Sequence, residues 1–70
     1  MKPMAKRLVV AALVRQHCRK LSEHGKHEKW GCPRQCDQHV TSLPRHDLIT
    51  AGVIRGLIGD LKCLPEGWLQ

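Results

Sequence analysis

HGKHEKWGCPRQCDQH, running from His24 to His39, holds five Cys and His side chains and almost nothing a hydrophobic core could use. A segment of that kind must be fastened by something other than apolar packing, and a metal bound through Cys and His is the obvious fastener. Pro33 suits the first position of a short helix. A helix over about 33–42 places Cys32, Cys36, His39 and Leu43 at steps of four, three and four, on one face. That face is either the buried side of an amphipathic helix or a set of three ligands for one zinc ion. The zinc reading takes Cys18 as the fourth ligand, with His24, His17 or His27 as alternatives.

Against it, Cys32 and Cys36 have three residues between them where a zinc knuckle has two, and Cys63 stands alone far downstream. The four cysteines are compatible with zinc, with buried thiols or with disulfides. One structural zinc is the reading adopted.

Both flanks of the central segment carry helical periodicity. Upstream, Val10, Leu13, Val14, His17, Cys18 and Leu21 form a stripe that predicts a helix over about 4–23, ended by Gly25. Downstream, Leu48, Ala51, Ile54, Leu57, Ile58, Leu61 and Leu64 predict a helix over about 45–64, with a break near Gly52 as the alternative. Pro65 and Gly67 stop it, and residues 65–70 form a cap in which Trp68 covers the core. Gly52, Gly56 and Gly59 share a face and each lowers helix stability, so close approach of another helix, such as the Ala11-Ala12 region, is the expected compensation. The fold class expected is therefore all-α. Two longer helices are joined by a Cys/His-rich connector, residues 24–43, with a short helix inside it. At 70 residues the chain is expected to be one small domain with only about 3–5 kcal/mol available from its core, which is why a staple is expected.

Composition narrows the function without choosing it. Twelve Lys and Arg against six acids give a net charge of +6, which draws phosphates, an anionic membrane or an acidic protein face without choosing among them. Lys6, Arg7, Arg15, Arg19, Lys20, Lys26 and Lys29 crowd the first part of the chain, so a basic first helix is the expected binding surface for nucleic acid or a nucleic-acid-processing complex. The alternative is an inhibitor or adaptor acting on a single partner protein through its helical faces, with Trp30 as an exposed anchor. Homodimerisation is compatible with either. The only aromatics are Trp30 and Trp68, which argues against a stacking platform for single strands. The acids form no acid–base pair and no Gly-rich phosphate loop is present, so the chain is read as non-catalytic. The apolar run Leu8 to Val14 is cut by Arg15, too short to span a membrane, and followed by no small-residue cleavage site. A cytoplasmic protein is expected.

Overall fold

The computed structural model describes residues 2–32 and 39–70. Its elements are β1 (Met4–Ala5), α1 (Lys6–Arg15), β2 (Arg19–His24), β3 (His27–Gly31), β4 (Val40–Pro44), β5 (Leu48–Ile49) and α2 (Ala51–Asp60). The all-α, helical expectation is thus overturned. The chain is α+β, with two helices, a two-stranded sheet β1–β5 and an antiparallel meander β2–β3–β4.

The first helix stops much earlier than Gly25. His17 takes the left-handed conformation (φ 65°), the Cys18 N–H donates to the Leu13 carbonyl at 2.9 Å, and the His17 N–H donates to Val14 at 2.9 Å. This is a Schellman ending with histidine where glycine is usual. The chain leaves it directly into β2. Gly25 serves a different purpose: with φ 57° it is the first central residue of the two-residue turn joining His24 to His27, where a positive φ matches the twist of a hairpin.

The segment after the turn alternates rather than lacking order. His27 and Lys29 point to solvent, while Glu28 and Trp30 are buried. A glutamate at a core-facing position hid the period of two. Of the helix expected over 33–42, residues 33–38 lie outside the described residues, and Val40 onward is strand, with Thr41 and Leu43 turned inward. The helix expected over 45–64 is shortened to α2, because Leu48 and Ile49 pair with Ala5 and Met4 instead. Thr50 then caps α2, its side chain accepting from the Val53 N–H.

The core joins these pieces. Val9, Ala12 and Leu13 of α1 share one buried cluster with Ile54 and Leu57 of α2, and with Leu61, Leu43, Ile49, Trp30, Cys18, Cys32, Trp68 and Leu69. Trp68 caps the core as expected. The glycine face does not behave as expected. A Cβ added at Gly52, Gly56 or Gly59 would meet nothing within 4 Å, so no helix among the described residues packs there. Replacing all three by alanine is therefore expected to stabilise the fold by about 0.5–1 kcal/mol per site, read as a higher denaturation midpoint. No helix among the described residues is long and apolar enough to cross a membrane.

Candidate metal centre

The β3–β4 ladder closes at Gly31↔Val40, and the chain continues one step beyond on each side. There the Cys32 N–H donates to the His39 carbonyl at 3.0 Å, and the His39 N–H donates to Cys32 Sγ at 3.4 Å. Strand pairing thus does for Cys32 and His39 what the expected helix would have done.

The third donor comes from the other end of the chain. Past α2, Leu61 is buried and Leu64 closes a turn onto it, which fixes Cys63 between them. One ligand atom each from Cys32, His39 and Cys63 lies within 4.8 Å of the others. Tetrahedral zinc would draw such N and S donors to about 3.6–3.8 Å of one another, within reach of small side-chain rotations. The three residues lie close enough to bind a metal ion. Cys32 is buried, His39 half-buried and Cys63 exposed, so the cluster opens at the surface on one side.

Among the described residues this set differs from the expected one. Cys36 lies outside them. Cys18 adjoins Cys32 but does not join the converging donors. It extends the Arg19↔Gly31 register by one step, and its thiol is pushed up by burial and then by the neighbouring Cys32. His17 stays exposed at the end of α1. His24 and His27 pair across the hairpin turn, at the far end of β3 from Cys32. Cys63 was missed because only the fold brings it near. An even number of cysteines was its sole trace in the sequence.

Between α2 and β4 lies one bond that bears on the cluster. Thr41, two residues after His39, donates through Oγ1 to Asp60 Oδ2 at 2.9 Å, and Asp60 lies three residues before Cys63. An acid in the last turn opposes the helix dipole, so this hydrogen bond gives Asp60 its reason to be there. It fixes the end of α2 against the strand that follows His39. Thr41→Val or Asp60→Ala is expected to weaken metal binding about tenfold, taking one charge-assisted hydrogen bond as about 1.5 kcal/mol. Competitive titration against a chromophoric chelator measures it.

The expected basic surface is divided. Lys6 bonds Glu28 at 2.7 Å, and Lys20 pairs with Glu23 and, at 3.7 Å, with Glu28. Arg45 also reaches Glu28, at 3.6 Å. Trp30, expected as an exposed anchor, is buried, and its indole N–H donates to Glu28 at 3.2 Å. Burial works to raise the Glu28 carboxyl, but hydrogen bonds from Lys6 and Trp30 and the charges of Lys6 and Lys20 outweigh it and hold it below its ordinary value. Arg7 and Arg15 stay exposed on α1, and Arg19, Lys26 and Lys29 on the hairpin. No protein-family model, curated protein or solved structure matches this chain.

Proposed function

We propose that Cys32, His39 and Cys63 hold one zinc ion, and that the stapled chain is a non-catalytic cytoplasmic regulator binding nucleic acid or a nucleic-acid-processing complex. The observation that carries the zinc reading is the convergence of two thiols and an imidazole from segments far apart in sequence. Soft sulfur with imidazole is the donor set of structural zinc. Cys36, which falls in sequence between Cys32 and His39, is the proposed fourth ligand. Cys36→Ser is then expected to lower metal affinity and Cys18→Ser to leave it unchanged. The reverse result would restore Cys18 to the site. Thiols that serve as metal ligands suit a reducing compartment.

The nucleic-acid reading is supported by the net charge of +6 and by where the opposing acids go. Glu23 and Glu28 are engaged by Lys6, Lys20 and Arg45, while Arg7, Arg15, Lys26 and Lys29 have no ion-pair partner among the described residues. Fluorescence anisotropy with mixed-sequence DNA and RNA oligonucleotides is expected to show affinity falling linearly with log salt, with a slope of about 2–4 phosphates. Absence of binding at low salt would reject the reading. A second reading, docking to a single partner protein, is favoured by exposed Leu8, Val14 and Leu48, though not by Trp30. Salt-tolerant binding of one protein would select it.

A further inference from the structure

We infer that the outward face of the β2–β3–β4 sheet, which no other described element covers, is the docking surface for a nucleic-acid phosphate backbone. This rests on the nucleic-acid reading above and moves the contact from α1, where the sequence put it, to the hairpin.

The register sorts the strand residues into two faces. The inward rows are Lys20–Trp30–Thr41 and Glu23–Glu28–Leu43. They carry both acids of the sheet's described strands, and α2 docks on their side through Thr41 and Asp60. The outward rows are Arg19–Gly31–Val40, Ser22–Lys29–Ser42 and His24–His27–Pro44. No acid stands in them. Lys26 projects from the turn at one end, and Lys29 occupies the centre between two serines. Strand alternation has therefore separated the charges: carboxylates inward against their cations, and basic and hydroxyl groups outward.

A polyanion is the occupant that complements this face. Its apolar part is a single corner, Leu21 lying over Gly31 with Val40 beside it. No Trp, Tyr or Phe ring faces outward among the described residues, because Trp30 points into the core; the rings of the outward rows are the imidazoles of His24 and His27. A protein-binding surface would need an aromatic or broader apolar centre, which is lacking. With two exposed imidazoles and no indole, phenol or phenyl ring the face offers little base stacking, and with no Asn or Gln in these rows base edges could be read chiefly through Arg19 and Lys29. The contact is to phosphate and sugar, and it tolerates sequence.

The test compares three full-length, metal-loaded variants by anisotropy on one oligonucleotide across a salt series. Lys26→Gln with Lys29→Gln is expected to weaken binding about tenfold or more and to lower the salt slope by about 2. Ser42→Glu, which sets an acid beside Lys29, is expected to weaken it similarly. Arg7→Gln with Arg15→Gln, on α1, is expected to change affinity less than threefold. These side chains are exposed, and unchanged circular dichroism checks that folding is intact. Loss confined to the α1 variant would overturn the assignment while leaving nucleic-acid binding standing. Wild-type protein that fails to bind the oligonucleotide would remove the parent reading together with this one. Poly-glutamate binding more tightly than the oligonucleotide would overturn it in favour of an acidic protein.

Discussion

Cys63→Ser is expected to abolish stoichiometric metal binding and, with it, most of the cooperative thermal transition. The scale follows from two magnitudes. Structural zinc in small domains contributes an apparent ~10–16 kcal/mol at neutral pH, whereas the core of a chain this short supplies only about 3–5 kcal/mol. Cys63 is also exposed, so its substitution removes little apolar burial and the effect reports the metal bond. Without the Cys63 thiol, packing of α2 residues with Leu61 and Leu64 in the core and the Thr41–Asp60 bond are the contacts described between the end of α2 and the hairpin. Circular dichroism melting with and without added zinc measures it. A wild-type-like melt that zinc does not shift in either protein would mean that Cys63 plays no such part.

Glu28→Ala is expected to destabilise the fold by about 2–4 kcal/mol, because removing one partner of a buried charge cluster leaves the others uncompensated. The lower part of that range is the better guide. Lys20 and Arg45 are substantially exposed and can return to water, while Lys6 is three-quarters buried and cannot do so freely. Glu28→Gln separates the contributions. It keeps an acceptor for the Trp30 indole and loses only the charge, so it should cost less than alanine. The pH dependence has a definite sign. Because the folded carboxyl is held below its ordinary value near 4.5, the unfolded chain takes up the proton first as pH falls. Its stabilisation is complete above that value and lost progressively below it. Urea midpoints of wild type and Glu28→Gln should therefore converge below about pH 4.5 and differ at pH 7. A constant difference across that range would mean that the charge is not what matters.

What could be read from the sequence tracks what is local. The apolar stripe of α2 was legible because Ile54, Leu57 and Leu61 obey the helical period and are buried, and Trp68 caps the core as its position implied. Cys32 and His39 were nominated correctly as neighbours for the wrong geometrical reason, since a hairpin closing beyond Gly31↔Val40 unites them as well as a helix turn does. The strands were hidden by particular residues. Glu28 occupies an inward position that a pattern search expects to be apolar, and its acceptability depends on Lys6, Lys20 and Arg45, none adjacent in sequence. The end of α1 was missed because His17, not glycine, takes the left-handed position. Exposed Val14 and Leu21 then lengthened a stripe that the chain does not use. Cys63 was illegible in principle, because its proximity to Cys32 is a property of the folded chain alone.

The most direct test of the central claim is the metal content of untagged protein purified under reducing conditions. It is measured by elemental mass spectrometry and paired with cobalt substitution. The account predicts one zinc per chain, a tetrahedral cobalt spectrum with sulfur-to-metal charge transfer, and loss of that intensity in Cys32→Ser and Cys63→Ser. Protein that carries no metal, takes up no cobalt and keeps its circular dichroism spectrum in chelator would contradict it, leaving Cys32, His39 and Cys63 as neighbours without a shared ligand.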